Sequence, residues 1–197
     1  MPDLDRIWIE KACLGDEEAF TKLVETYQNP VYNMCYRMLG DPGSAEDAAQ
    51  ETFWRVYQNI KRYDSQRSLI TWILSIAAHY CIDQQRKNRI PIFELDEFPD
   101  FDLGDPLLPT PEHQMSVNEE DSALHKLINN LQPIDRAAVI LKYWHECSEE
   151  EISQMLNLSI SAVKSRLHRA RKQLAAYITG TNPTPEKERR KHESPAV

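Results

Sequence analysis

Between Pro91 and Asp121 the chain carries five prolines and ten carboxylates, and not one Lys or Arg. The prolines are Pro91, Pro99, Pro106, Pro109 and Pro111; the acids run from Glu94 to Asp121. Like charges at this density repel and extend a backbone that the prolines already keep out of regular structure. The stretch therefore reads as a linker, 91–121, that divides the chain into two units. One covers residues 1–90 and the other 122–179, with a short polar tail at 180–197 that is expected to be disordered.

Both units should be helical. Only five glycines occur in 197 residues, and Leu, Ile, Ala, Gln and Glu are plentiful, a composition that favours helix. In the first unit Phe20, Leu23, Val24 and Tyr27 share one helical face, and Asn29-Pro30 should bend or interrupt that helix before Val31 to Leu39. Gly40-Asp41-Pro42-Gly43 is a turn, after which Ser44 is expected to cap a helix whose buried stripe is Ala49, Phe53, Val56 and Ile60. A further helix places Leu69, Ile73, Ile76 and Tyr80 inward. The second unit reads as four helices, with Pro133 at a first helical position and Asp135 favourable in that opening turn. The expected fold is all-α: two small helical domains on an acidic, Pro-rich tether.

In the second unit, Ser148-Glu149-Glu150-Glu151 is a capping box that starts a short helix through Ile152, Met155 and Leu156. Asn157 follows, a residue that tolerates positive φ, and Ser159 caps a longer helix with Ile160, Val163, Leu167, Ala170 and Leu174 inward. A short helix, a tight turn and a longer helix make a helix-turn-helix, whose second helix enters the major groove. Its outward face holds Ser161, Lys164, Ser165, His168 and Arg169. The net charge of −8 opposes a nucleic-acid partner until its distribution is considered. Without the linker the rest carries about +2, and no acid occurs from Gln154 to Pro185 although Lys164, Arg166, Arg169, Arg171 and Lys172 do. A merely solvated helix face would carry compensating acids, so this one is read as a DNA-binding face.

The first unit is more ambiguous on spacing alone. Lys61, Arg62, Arg67, Arg86, Lys87 and Arg89 lie near Tyr63 and Trp72, the mixture that holds single strands, but a core Trp among solvated bases fits the spacing better. Asp47, Gln50, Glu51, Trp54, Arg55 and Gln58 lie opposite the buried stripe. A Trp among exposed polar residues suggests a protein interface, and a partly buried Trp is an equal alternative.

Other classes fit poorly. The six histidines are dispersed without a nucleophile elbow, and the glycines form no phosphate loop. His145 and Cys147 lack a second pair to complete a zinc site, and Glu46, Asp47 and Glu51 read as solvated acids. Of the four scattered cysteines (Cys13, Cys35, Cys81 and Cys147), three sit among apolar neighbours, as reduced core thiols do. No cofactor and no metal are expected. The longest uncharged run, Ser68 to Ile82, is too short to span a bilayer, and the first sixteen residues lack a signal-peptide core. A cytoplasmic protein is the expectation.

Three stretches resemble the sigma factors of bacterial RNA polymerase. Ala45 to Phe53 (AEDAAQETF) is similar to the segment that grips the polymerase clamp helices. Ser68 to Ala77 (SLITWILSIA) is similar to the motif that opens the −10 promoter element. Val163 to Arg171 (VKSRLHRAR) resembles the helix that reads the −35 element. With no longer N-terminal region and no intervening domain, the resemblance points to the extracytoplasmic-function (ECF) group. It implies polymerase contacts at Asp47, Gln50, Glu51, Trp54 and Arg55. It implies −10 contacts at Tyr63, Asp64, Ser65, Arg67, Ser68, Trp72, His79 and Arg86. For −35 it implies Lys164, Ser165, His168 and Arg169 in the groove, with Arg166, Arg171 and Lys172 on phosphates, and Ser161 among the DNA-binding residues.

The implied partners are core RNA polymerase, promoter DNA and an anti-sigma factor, without membrane insertion, and the implied activity is not enzymatic. Departures from the family pattern are Ser75 for Arg, His79 for Asn, Ser153 for Ala, Asn157 for Gly, and Ser161-Ala162 for Gly-Thr. The alternatives are a helix-turn-helix regulator that binds duplex DNA without polymerase, and a helical module that binds protein through the basic helix. Neither accounts for the two first-unit motifs.

Overall fold

The computed structural model describes residues 2–64, 68–89 and 119–179, and among them every regular element is helical. The first unit comprises α1 (Pro2–Cys13), α2 (Glu17–Leu39), α3 (Pro42–Asn59), a 3₁₀ turn (Ile60–Arg62) and α4 (Leu69–Arg89). The second comprises α5 (Glu119–Asn129), α6 (Pro133–Tyr143), α7 (Glu149–Met155) and α8 (Ile160–Ile178). The end of the expected linker, Glu119 to Asp121, thus belongs to α5; the rest of it, the tail, Ser65 and Arg67 lie outside the described residues.

Helix α2 organises the first unit by packing against α1, α3 and α4. Asp16 caps its start by accepting a hydrogen bond from the Ala19 amide at 2.9 Å. The expected break at Pro30 does not interrupt it. Thr26, whose carbonyl loses its amide partner to the proline, is exposed, so water can satisfy that oxygen. Leu23 on one side and Val31, Met34, Cys35 and Met38 on the other are buried and hold the helix together by packing. Gly40 ends α2 in the left-handed conformation, φ 86°, and its amide donates to the Tyr36 carbonyl.

The cap of α3 is Asp41, not Ser44: the Ser44 amide donates to the Asp41 carboxylate at 2.7 Å, with Pro42 in the first turn. That amide holds the carboxyl below its ordinary range. The buried stripe also differs from the one inferred, because packing against α2 and α4 sets which face is covered. Ala45, Ala48, Thr52, Val56 and Ile60 are buried, whereas Ala49 and Phe53 are only partly so. On α4, Leu69, Ile73, Leu74, Ala77, Ala78, Cys81 and Ile82 form the core face, with Ile76 and Tyr80 at its margin.

In the second unit the capping box at Ser148 and Glu151 is complete, and Asn157 has φ 53°. Ser159 caps α8 through the Ala162 amide. Val163, Leu167 and Ala170 are buried against α6 and α7, but Ile160 is 39% exposed at the open end of the helix. The two units pack directly: α6 lies against α2 and α4, and α7 lies against α4.

Candidate promoter and polymerase surfaces

On α8 the acid-free face is outward as expected. Ser161, Lys164, Ser165, His168, Arg169, Arg171 and Lys172 are all exposed. Lys164 reaches Glu149 on α7 at 3.5 Å, a surface pair loose enough to yield to a phosphate. Arg166 differs: its Nη1 donates to Asp135 Oδ1 at 2.7 Å, with the carboxylate largely buried. Its guanidinium holds α8 to α6 and remains about a quarter exposed. Sequence spacing identifies Asp135 only as a favourable first-turn acid and gives no sign of this partner.

The outer face of α3 presents Asp47, Gln50, Trp54 and Gln58 to solvent, with Trp54 55% exposed. Glu51 and Arg55 pair at 2.7 Å, and the Arg55 guanidinium lies over the Tyr80 ring at 4.9 Å. Trp54 stacks beside Tyr57, which meets Phe20 edge-on. The Trp54 ring thus lies outside the buried core, partly covered by Tyr57.

A hollow of about 720 Å³ opens between α3 and α4, lined by Glu51, Trp54, Arg55, Gln58, Asn59, Arg62, Trp72, Ser75, Ile76 and His79. It joins residues assigned separately to a protein contact and to a strand contact. Trp72 is partly exposed and tilts against Tyr63 with ring centres 5.3 Å apart. His79 Nδ1 is 2.8 Å from the Ser75 carbonyl. A carbonyl only accepts, so Nδ1 carries a proton and donates to it. Asp64, Ser68 and Arg86 are exposed, and Arg86 lies 3.8 Å from Asp83. Sequence reasoning missed Asn59 and Ile76 in this hollow. Their places depend on how α3 and α4 cross, for which the chain has no local signal.

Among the described residues no group of His, Cys, Asp and Glu side chains could hold a metal ion. Cys35, Cys81 and Cys147 are buried. Burial pushes the Cys147 thiol up to about 11, and a hydrogen bond with Cys35 followed by burial raises Cys81 further. A raised pKa keeps the Cys81 and Cys147 thiols protonated at neutral pH. Among the described residues no helix is long and apolar enough to cross a membrane.

Comparison with known proteins fits this arrangement. Residues 23–90 match the sigma-70 region 2 family and residues 121–174 match sigma-70 region 4. The chain is 36% identical over 179 residues to the ECF RNA polymerase sigma factor SigW of Bacillus subtilis, covering 86% of this chain and 94% of that protein. This chain belongs to the ECF sigma factors.

A second family member, SigE of Mycolicibacterium smegmatis, is 33% identical over 83% of this chain and 64% of its own length. The fold resembles that of CnrH in complex with the cytosolic domain of CnrY, with TM-score 0.66, 21% identity and coverage of 89% and 97%. It also resembles the sigma factor RpoE solved with the anti-sigma factor NepR from Bartonella quintana, with TM-score 0.61, 19% identity and coverage of 81% and 96%. Within the ECF family frame, region 2 holds the α3 face and the hollow, and region 4 holds the helix-turn-helix.

Proposed function

We propose that this sigma factor binds core RNA polymerase through the α3 face, reads −35 duplex with α8, and captures −10 single strand along the start of α4. The carrying observation is the pairing of an acid-free, fully outward α8 face with a region 2 unit whose Trp54 ring stands in solvent. In this reading the exposed Lys164, Ser165, His168 and Arg169 contact base edges, with Arg171 and Lys172 on phosphates. Asp47, Gln50, Glu51, Trp54 and Arg55 form the polymerase contact. Tyr63, Asp64, Ser68, Trp72, His79 and Arg86 serve the unpaired strand, where aromatic faces take stacked bases and basic groups track phosphates.

The polymerase supplies the catalytic metal, so this chain performs no chemistry itself and acts in the cytoplasm, where polymerase and promoters are. The complex of RpoE with the anti-sigma factor NepR supports an anti-sigma partner for this chain as well. Transcription from genomic promoter fragments by purified core polymerase, with and without the chain, tests the reading. Promoter-specific transcripts that require the chain are expected. Binding to duplex DNA with no association with core polymerase would replace it with a helix-turn-helix regulator.

A further inference from the structure

Two departures from the family pattern, Ser153 for Ala and Asn157 for Gly, fall where α7 ends and turns toward α8. The Leu156 amide donates to the Ile152 carbonyl, and Asn157 takes the left-handed conformation at φ 53°. The Leu158 amide then returns to the Ser153 carbonyl at 2.9 Å, a common way for a helix to stop. These are backbone bonds that Ala at position 153 would also allow. Ser153 adds one that Ala lacks: its Oγ donates to the Leu158 carbonyl at 2.5 Å. A hydroxyl in a helix ordinarily turns back, as Thr21, Thr26 and Thr52 do toward carbonyls four residues earlier. Ser153 instead reaches forward across the turn. It holds both backbone polar groups of Leu158 and so braces the turn that contains Asn157.

Leu158 stands directly before Ser159, the cap of α8, whose Oγ accepts from the Ala162 amide at 3.2 Å. The place at which Leu158 is held is therefore the place from which α8 starts. Exposed Ser161, Lys164 and Ser165 follow within its first two turns. Asn tolerates positive φ less well than Gly, so the brace supplies a constraint that glycine's own backbone freedom would make unnecessary. Lys164 also links α8 to α7, through Glu149 at 3.5 Å, but a base or phosphate that takes Lys164 ends that link. The Ser153–Leu158 bonds join half-buried groups already engaged with each other, and they persist when DNA binds.

We propose, resting on the sigma-factor reading above, that Ser153 is a positioning residue for −35 recognition. Its forward hydrogen bond fixes the angle at which α8 leaves α7, although Ser153 itself touches no DNA. Contacts to base edges require placement within about 0.5 Å, which a flexing turn does not provide. Phosphate contacts carry no sequence information and depend on charge, so they tolerate such movement. Loss of the brace therefore costs selection and spares non-specific binding.

The test uses the full-length chain assembled with core RNA polymerase. The probes are a genomic promoter fragment that the wild type transcribes and the same fragment with its −35 element shuffled. The readouts are the ratio of the two affinities, the salt slope on the shuffled fragment, and the melting temperature of the chain. Ser153→Ala should lower the ratio about tenfold, the discrimination of one well-placed base contact, with the salt slope unchanged. Ser153→Thr keeps the hydroxyl and should select as the wild type does. Ser153→Ala combined with Asn157→Gly restores the Ala and Gly of the family pattern and should recover most of the lost ratio. Wild-type selection in Ser153→Ala overturns the brace. Equal losses on both fragments, or a chain that no longer melts cooperatively, make Ser153 a residue of fold stability and overturn the positioning role. A ratio that Thr does not preserve rules out the hydroxyl as its cause, and one that Gly does not recover removes the coupling to Asn157. A wild-type holoenzyme that selects no fragment, or ignores the −35 shuffle, overturns the reading of α8 itself, whereas unchanged selection in Ser153→Ala overturns only the brace.

Discussion

Arg166 Nη1 lies 2.7 Å from Asp135 Oδ1, an ion pair that anchors the recognition helix to the first turn of α6. The carboxylate is nearly enclosed and the guanidinium about three-quarters so, which places the pair between surface and core behaviour. A basic residue in the middle of the helix proposed to read DNA is here held by a carboxylate of α6, which ties the two helices together.

Three arginines of α8 should consequently give three different phenotypes. Arg166→Ala strands Asp135 and should lower stability by about 1–3 kcal/mol, seen as a reduced melting temperature, with the salt slope of DNA binding unchanged. Arg171→Ala should leave stability alone and reduce that slope by about one. Arg169→Ala should cost about 1–3 kcal/mol on the preferred −35 sequence and relax selection at one position. A common sequence profile for Arg169→Ala and Arg171→Ala would remove the division between base and phosphate contacts.

The α3 face makes a second prediction. Asp47 and Gln50 are exposed and three residues apart, so they form one patch on the helix. Asp47→Arg combined with Gln50→Ala should weaken core polymerase binding at least tenfold while circular dichroism and melting stay unchanged. Wild-type affinity in the folded double variant would remove this face from the polymerase contact.

His145 makes a third. Its Nε2 is buried without a hydrogen-bond partner, and burial, followed by the positive charge of Arg37, lowers its pKa from 6.5 to about 4. The unfolded chain therefore takes up a proton near pH 6.5 that the folded chain refuses until about 4, so stability falls as pH drops through that window. The loss is of the order of 2 kcal/mol, after discounting for the exposed part of the ring. His145→Gln should flatten the fall in melting temperature between pH 7 and 4.5; an unchanged profile would show that another group governs it.

Capping chemistry and short-range spacing are legible in the order of residues. The Ser148–Glu151 box, the Ser159 cap, positive φ at Asn157 and the outward Lys164/His168/Arg169 face all follow from neighbours within a turn or two. Local signals compete at two places. Asp41 takes the cap from Ser44 because Pro42 is preorganised for the first turn, and tertiary burial on both sides carries α2 through Pro30.

The amino-acid sequence by itself determined the two helical units, the helix-turn-helix and its basic face, because each depends on periodicity, caps and charge along a few consecutive residues. Only the tertiary structure decided that Arg166 turns to Asp135, that α3 and α4 enclose one hollow, and that Arg136 reaches across to Met38. The last pair is separated by 98 residues. A long, flexible guanidinium has no local preference for one distant carbonyl. Its partner is set by which helix ends the packing brings together and by the need to hydrogen-bond a buried charge.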